Sequence, residues 1–391
     1  MRGRSSASSL AQGPFNPIPA SVFSESVLAM PGEVNAAAKK IANQMAYQRE
    51  GADAYTHWYG YTGPGYCVAG GGKRCKFNIE QFSIAVWVVP EGQPMTKLAY
   101  SNSKEIEPEG LQAHFEAVPL PTLALIPAGH LICPVGTDQW IVIWQPSTDR
   151  YWEMGDFNPE TLTFAHGGFR EGLNKWSGVF TNTNEGERAC ALALVGGMIS
   201  TQDMVEILEG KKLKHALTVN IPVTKAAGPI APATHQDQYE NELAEYEGKA
   251  NPAFGTVDAV AQAAWFRFPA ASTPAEYGIS QATSPIAWAV FEAIREYGMV
   301  VGDSGPSATP SIQVQYPAEM GSPYAWAHVN PYKGAPSTWG RYTQGEAGGN
   351  AWIPSTITTP KKVIQEIPLG VGNPLVIQPW QILEQVEPRS A

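Results

Sequence analysis

The sequence is poor in charged residues. Only 16% of its 391 residues are Asp, Glu, Lys or Arg, whereas 43% are hydrophobic. Such a low charge is unlike that of a cytosolic enzyme with a surface rich in Lys and Glu. Acidic residues outnumber basic ones by 36 to 26, and no cluster of Lys and Arg is dense enough to bind a phosphate backbone. Nucleic acid is therefore not an expected partner.

Cysteines and long apolar runs are also scarce. The chain has four cysteines, and no Cys or His spacing matches a zinc site. Cys67 and Cys75 flank a Gly-rich tip and are either bridged or reduced, whereas Cys133 and Cys190 lie in apolar runs typical of buried thiols. No run of about 18 apolar residues predicts a transmembrane helix, and the first residues lack the apolar core of a secretion signal. We expect neither membrane insertion nor ordinary secretion.

Glycine, proline and tryptophan are abundant instead. The chain contains 38 Gly, 33 Pro and 12 Trp. Many turn residues and aromatics with few charges predict a mainly β, loop-rich protein with large intermolecular contacts. The predicted fold is a β-sandwich or jelly-roll-like core with a few short helices, an extended N-terminal arm and an extended C-terminal tail.

Three regions are predicted along the chain. Residues 1–30 are polar, Pro-containing and aperiodic, which predicts an extended arm that orders against a partner. Residues 31–317 carry the strand and helix patterns of a core domain, and the Pro-rich, acidic stretch 226–255 predicts an exposed loop within it. Residues 318–391 are rich in Pro and have almost no helical periodicity, so they predict an irregular tail used in assembly contacts.

The clearest local pattern is a strand, a Gly-Gly turn, a short helix and a second strand within residues 189–222. The continuous apolar run Cys190–Val195 predicts a buried strand. Ser200 or the residue after it is expected to cap the helix, which ends at Gly210. The second strand is predicted over Leu213–Ile221. This unit predicts part of the core scaffold and contains no obvious reactive group.

A Trp-rich hairpin is predicted upstream of this unit. Residues 147–149 form a turn sequence between two apolar strands. Trp140 and Trp144 are expected to share a face of the first strand, since strand faces repeat every two residues, and Trp152 lies on the second strand. Aromatic faces can stack on sugars, so all three are candidates for glycan binding. The alternative is ordinary core or a subunit interface.

Asp138, Glu153 and His215 are the candidate acid–base residues. Two carboxylates on neighbouring strands could flank a glycosidic bond, one as acid and one as base or nucleophile. The alternatives are structural: Asp138 starts a strand, Glu153 lies on the surface of a hairpin, and His215 is hydrogen-bonded at the start of an apolar strand. No nucleophile elbow, phosphate loop or metalloprotease motif occurs. We therefore expect no cofactor and no metal, and we favour a protein that is not an enzyme.

Four segments of the sequence follow one another in a familiar order. They are FNPIPASVFSESVLAM, AVPLPTLALIPAGHLICPVGTDQWIVIWQPSTDRYWEM, ACALALVGGMISTQDMVEILEGKKLKHALTVNIP and IAWAVFEAIREYGMVVGDSG. Their order resembles a domain found in minor tail proteins of tailed phages of actinobacteria and in uncharacterised proteins of those bacteria. That family often has Asp-His where this chain has Asp138-Gln139, but Glu153 and His215 match its pattern.

The resemblance implies a structural component of the phage virion tail, namely a minor tail protein at the tail tip or in a fibre. It also implies a homo-oligomer such as a trimer that contacts other tail proteins, and a role in host attachment, with a host surface glycan as a further partner. The alternative function is a glycan-binding or glycan-cleaving module acting on the host cell envelope. The missing His beside Asp138 argues against catalysis.

Overall fold

The structure is a computed structural model in which strands outnumber helices, which confirms the mainly β class. It describes residues 21–33, 75–78, 83–103, 106–121, 133, 138–182, 184–221, 224, 229–236, 260–277, 279–282, 285–304, 311–315, 366–369 and 384–386. Cys67 lies outside these residues, so the two predicted alternatives, a disulfide between Cys67 and Cys75 or two reduced thiols, concern a residue beyond the described part.

The described strands form two large sheets and one small one. The eight-stranded sheet has the order β1 (Gly32–Glu33), β14 (Glu384–Val386), β10 (Trp265–Arg267), β11 (Met299–Ser304), β9 (Leu217–Ile221), β12 (Ser311–Ile312), β2 (Cys75–Asn78) and β13 (Glu366–Leu369). The four-stranded sheet has the order β3 (Ala85–Val88), β5 (Ile141–Gln145), β6 (Arg150–Gly155) and β8 (His166–Glu171). A separate pair is formed by β4 (Ala99–Tyr100) and β7 (Thr163–Phe164).

Both large sheets are mixed. β9 runs parallel to β11, and β3 runs parallel to β5. β5 and β6 are antiparallel, as are β6 and β8, so residues 146–149 close the predicted hairpin. A jelly roll is an antiparallel architecture. The parallel pairs therefore leave the jelly-roll part of the prediction unconfirmed.

The two large sheets pack face to face through a shared core. The buried residues that meet there include Val86, Val142 and Tyr151 from the four-stranded sheet and Trp265 and Val300 from the eight-stranded sheet. Helix α3 (Pro285–Glu296) covers the outer face of the eight-stranded sheet, and helix α1 (Leu111–Phe115) packs on the outer face of the four-stranded sheet. The order of layers is helix, sheet, sheet, helix.

The strands of the four-stranded sheet are buried on both faces. Along β5, Val142 points into the core between the sheets, whereas Ile141 and Ile143 point into the outer core beneath α1. A strand covered on both faces is apolar along its whole length rather than alternating. This explains the continuous run of Ile, Val, Ile and Trp that predicted the strand.

The N-terminal segment 21–33 packs on its own chain. Val22, Phe23 and Val27 are buried in the core between the sheets. The Ala216 N–H donates to the Phe23 carbonyl oxygen at 2.7 Å, and β1 pairs with β14. Residues 21–30 are thus held by intrachain contacts, which corrects the predicted partner-ordered arm at these positions. Residues 1–20 lie outside the described part.

Two segments of the predicted C-terminal tail are strands of the eight-stranded sheet. β14 lies between β1 and β10, and β13 pairs with β2 at the edge of the sheet. The Arg267 side chain donates to Glu384 Oε2 at 3.1 Å, and Val386 is buried in the core. Residues 366–369 and 384–386 therefore correct the prediction of an irregular tail, and the rest of 318–391 lies outside the described part.

The predicted unit within residues 189–222 is correct in its second half. Helix α2 (Thr201–Leu208) follows Ser200, and Gly210 after its end has a φ of +81°. The returning strand is β9. Cys190–Val195 is buried, as predicted, but forms a turn-rich segment and not a strand.

The predicted exposed loop 226–255 is described only at residues 229–236. There the Ile230 N–H donates to the Gln262 carbonyl oxygen at 3.0 Å, and the Ile230 side chain packs on the core beneath α3. The Thr234 hydroxyl donates to the Phe180 carbonyl oxygen at 2.9 Å. This part of the predicted loop is anchored to the core.

Candidate functional site

A completely buried arginine, Arg188, organises the apolar segment that follows it. Its guanidinium donates to the carbonyl oxygens of Ala193 (2.8 Å), Leu194 (2.8 Å) and Gly196 (3.2 Å). It also donates to the side-chain oxygen of Gln313. These carbonyl groups bond to one side chain instead of to a neighbouring strand, which explains why the predicted strand does not form.

Glu153 is fully buried beside this segment. Its carboxylate accepts hydrogen bonds from the Tyr151 hydroxyl (2.5 Å) and from the backbone N–H groups of Glu187 (2.8 Å) and Leu194 (2.9 Å). Burial raises the pKa of Glu153 above its ordinary value, although these donors and the charge of Arg188 oppose the rise. Because the carboxylate is enclosed and partnered on both oxygens, Glu153 is neither a surface residue nor accessible to a substrate.

Glu187 links the other predicted carboxylate, Asp138, to this network. The Trp140 indole N–H donates to Glu187 Oε1 at 2.5 Å, while Glu187 Oε2 is enclosed and has no hydrogen-bond partner among the described residues. Burial raises the pKa of Glu187 well above its ordinary value, and the charges of Asp138, Asp303 and Glu153 raise it further. The structure thus brings Asp138 and Glu153 into one acidic cluster.

This cluster has no metal-binding arrangement. Within the described ranges, no group of three or more His, Cys, Asp and Glu side chains could hold a metal ion. Sequence reasoning missed Glu187 and Arg188 as members of the network. The available signal was a short charged run, Glu-Gly-Glu-Arg, directly before an apolar segment in a chain poor in charge.

His215 stabilises the beginning of helix α2. Its Nε2 lies 3.4 Å from Asp203 Oδ2, and its Nδ1 lies 2.8 Å from the Ala216 carbonyl oxygen. Burial lowers the pKa of His215, but the Asp203 carboxylate and the Ala216 oxygen outweigh burial and raise it above its ordinary value. Both ring nitrogens face acceptors, so the protonated imidazole, which donates at both ends, fits the site.

The cap on this helix uses the same carboxylate. Asp203 Oδ2 accepts from the Ser200 backbone N–H (2.8 Å) and hydroxyl (2.6 Å), and the Asp203 N–H donates to Ser200 Oγ (3.0 Å). This reciprocal arrangement is a capping box. Asp203 therefore lies between Ser200 and His215, so the imidazole is not placed to take a proton from the hydroxyl. The structural interpretation of His215 fits this geometry better than a general base.

The three candidate tryptophans belong to the core. Trp140 and Trp152 are each only 2% exposed, so neither presents an open ring face to a sugar. Trp140 and Trp144 share the face toward the core between the sheets, as their spacing predicts, and Trp152 lies on the opposite face. Trp144 is half-buried against the same core. The glycan-stacking hypothesis is therefore wrong for Trp140 and Trp152.

A cavity of about 210 Å³ lies between α1 and β8, and we call it the His114 cleft. Its polar lining includes His114, Arg170 and Glu185. Glu185 is 4% exposed; its Oε1 lies 2.5 Å from an Arg170 guanidinium nitrogen, whereas its Oε2 is buried and accepts no hydrogen bond from any described residue. The exposed His114 imidazole stacks on Phe169, with ring centroids 4.2 Å apart.

The predicted site residues do not belong to this cleft. Asp138, Glu153, His215 and the three tryptophans are all described, and none of them is among the residues that line it. The lining comes from α1 and the two residues 108 and 109 before it, from the end of β8, and from Asn182 and Glu185. No local motif joins these segments in the sequence, so only the fold brings them together.

Comparison of the chain with protein-family models, with curated proteins and with solved structures finds no match. No helix among the described residues is long and apolar enough to cross a membrane.

Proposed function

We propose that this protein is a structural component of a phage virion tail, a minor tail protein at the tail tip or in a fibre, which forms homo-oligomers and contacts other tail proteins. The resemblance in motif order supports the virion assignment. The structural observation that supports it best is the use of the candidate acid–base groups. Glu153 and His215 form hydrogen bonds with the chain's own backbone and side chains, so they stabilise the fold and are not used in catalysis.

The proposal includes the β-sandwich. Two sheets that share one core, each covered by a helix on its outer face, are consistent with that description. The parallel pairs do not favour jelly-roll connections. The sandwich supplies a rigid scaffold whose surfaces and loops can make the contacts of a tail protein.

Subunit contacts are expected away from the segments that the chain uses itself. Residues 21–33 and 384–386 are occupied in the eight-stranded sheet and its core. Two large apolar side chains, Met95 and Ile106, are 54% and 84% exposed and are the first positions to test as contacts. Substituting each with Ser should weaken self-association without loss of the fold, as measured by light scattering after size-exclusion chromatography.

The virion assignment is tested on particles of the phage whose genome encodes the chain. An antibody raised against the purified protein should place immunogold label at the tail tip or on a tail fibre in electron micrographs. Mass spectrometry of gradient-purified particles should recover peptides of the chain. Peptides found only in the lysate, with no label on intact particles, would contradict the proposal.

A second candidate function is glycan binding without cleavage, and the His114 cleft is the observation that favours it. The cleft is lined by hydrogen-bonding side chains and an exposed aromatic ring. Cleavage would require two carboxylates around a bound glycosidic bond. Asp138 and Glu153 do not line the cleft. Two of the carboxylates that do are engaged in ion pairs, Glu185 with Arg170 and Glu171 with Arg150, so the geometry favours binding over hydrolysis.

A further inference from the structure

We propose that the His114 cleft binds a neutral sugar unit, with Glu185 as a hydrogen-bond acceptor and the His114 ring as a stacking surface. This inference rests on the glycan-binding candidate and gives it a location and a ligand class. It is independent of where the protein lies in a virion, since it concerns binding by the isolated chain. A sugar can therefore bind even if the immunogold experiment fails, and the two results are separable.

Glu185 supplies the first step. Its side chain is almost completely buried, and Arg170 engages only Oε1, at 2.5 Å. Oε2 is enclosed and accepts no hydrogen bond from the described residues. A buried acceptor left without a donor costs about 1–3 kcal/mol. Glu185 lines the cavity, so a small rotation of its side chain that turns Oε2 into the cleft would let the hydroxyl group of a bound molecule satisfy this oxygen.

The aromatic pair beside Glu185 supplies the second step. The His114 and Phe169 rings are nearly parallel, at 16°, with centroids 4.2 Å apart. The backbone at His114 is also held, because the Trp152 indole N–H donates to its carbonyl oxygen at 2.9 Å. The flat imidazole is thus held in position on the outside of the core. A flat ring next to hydrogen-bonding groups matches the apolar C–H face and the hydroxyl rim of a sugar.

Charge and size define the ligand class. Three carboxylates, those of Glu109, Glu171 and Glu185, line the cleft together with the single guanidinium of Arg170. That guanidinium is already paired with Glu185, and Glu171 is paired with Arg150 at 2.6 Å. The carboxylates remain in excess, so a phosphate or an acidic sugar would meet net repulsion. The cavity of about 210 Å³ is smaller than the roughly 300–1,000 Å³ of a site for a drug-sized molecule. It therefore suits a single sugar unit.

The first test measures binding of four neutral sugars to the purified full chain by saturation-transfer-difference NMR. The probes are glucose, galactose, mannose and N-acetylglucosamine, each titrated to tens of millimolar, with glucuronate as the acidic comparison. At least one neutral sugar should bind, and glucuronate should bind at least about tenfold more weakly. The proposal is overturned if no neutral sugar binds, or if glucuronate binds as tightly as the best of them.

The second test assigns the binding to this cleft. Glu185→Gln and His114→Ala should each weaken binding of the best sugar by at least about tenfold. Glu209→Gln is the matched control: Glu209 is exposed, pairs with Lys211 and does not line the cleft, so affinity should be unchanged. Far-UV circular dichroism checks that each variant is folded.

Two variants are used so that the test still gives an answer if one of them does not fold. If Glu185→Gln does not fold, His114→Ala decides the outcome, because the His114 side chain is exposed and its backbone contact to Trp152 is retained. Wild-type affinity in His114→Ala would show that the sugar binds elsewhere and would overturn the assignment. Loss of binding in that variant, with normal binding in Glu209→Gln, would support it.

Discussion

Glu153 and Glu185 are both almost completely buried and both lie near an arginine, yet their surroundings differ. Glu153 is 0% exposed and accepts three hydrogen bonds, which occupy both carboxylate oxygens. Glu185 is 4% exposed and has one oxygen engaged by Arg170 and one without a partner in the described chain. Burial of a carboxylate is thus not in itself a mark of a site. The unmade hydrogen bond beside a cavity is the feature that distinguishes Glu185.

The same contrast separates the two regions to which these residues belong. The network of Glu153 and Arg188 lies within the core between the sheets, where a polar group must be fully partnered to be tolerated. The His114 cleft lies at the outer side of the four-stranded sheet and includes exposed residues. Substitutions in the first region should change stability, and those in the second should change binding.

The largest expected effect belongs to Arg188→Met. It removes the donor shared by three backbone carbonyl groups and Gln313, and it removes the positive charge near Glu153. The free energy of unfolding should fall by about 3–5 kcal/mol, measured by urea denaturation with tryptophan fluorescence. Arg150→Met is the control, because that side chain is 46% exposed and its surface pair contributes less than about 1 kcal/mol. If both variants lose the same free energy of unfolding, the structural role assigned to Arg188 is contradicted.

A smaller loss is expected for Glu153→Gln, which keeps the shape and removes one acceptor. The amide NH₂ group must face the Tyr151 hydroxyl or one of the two backbone N–H donors. One buried donor is then left unpaired, at a cost of about 2 kcal/mol. Chemical denaturation measures the loss, and Glu209→Gln on the surface should change stability by less than about 0.5 kcal/mol. A Glu153→Gln protein as stable as wild type would refute the structural role.

His215 should make stability depend on pH. Its pKa is raised in the folded protein, so the protonated form is the stabilising one. The contribution is complete below the ordinary pKa of the unfolded chain, about 6.5, and is lost as pH rises through the folded value. The difference in unfolding free energy between wild type and His215→Gln should therefore be largest at acidic pH, at about 1 kcal/mol, and shrink toward alkaline pH. A difference that grows with pH would contradict the pairing with Asp203.

The smallest change in stability is expected for Glu185→Gln. Arg170 keeps a hydrogen-bond acceptor, and the amide can be oriented with its NH₂ group away from the guanidinium. Because Oε2 accepts no hydrogen bond from the described residues and the Gln oxygen still accepts from Arg170, the substitution removes only the ionic part of this largely buried pair. The free energy of unfolding should fall by no more than about 1 kcal/mol. Thermal and urea denaturation should both show this. A loss as large as that of Glu153→Gln would place Glu185 in the structural network.

Much of the fold could be predicted from local patterns. The β5–β6 hairpin, helix α2 with its cap and strand β9 follow from apolar runs, turn residues and capping residues. The elements that the sequence predicts wrongly are those whose structure depends on residues outside the element itself. Cys190–Val195 has the composition of a strand, but the carbonyl groups of Ala193 and Leu194 bond to the Arg188 side chain. No periodicity in the segment predicts that contact.

The candidate site was less predictable than the fold. The Trp-rich hairpin sequence predicts rings that stack on sugars, but Trp140 and Trp152 are buried because the sheet is covered on both faces. Outside the site, residues 384–386 lie in a segment whose composition predicts an irregular tail, but they form strand β14 between β1 and β10. The His114 cleft joins side chains from three separate segments, so its existence depends on the packing of α1 against β8.

The most direct measurement compares Glu153→Gln and Glu185→Gln in the same two assays, urea denaturation and titration with the best-binding neutral sugar. The account predicts opposite results: Glu153→Gln loses about 2 kcal/mol of stability and binds the sugar as wild type does while folded. Glu185→Gln keeps most of its stability and loses the sugar. If Glu153→Gln leaves stability intact and abolishes sugar binding, the assignment of the two carboxylates to structure and site is reversed.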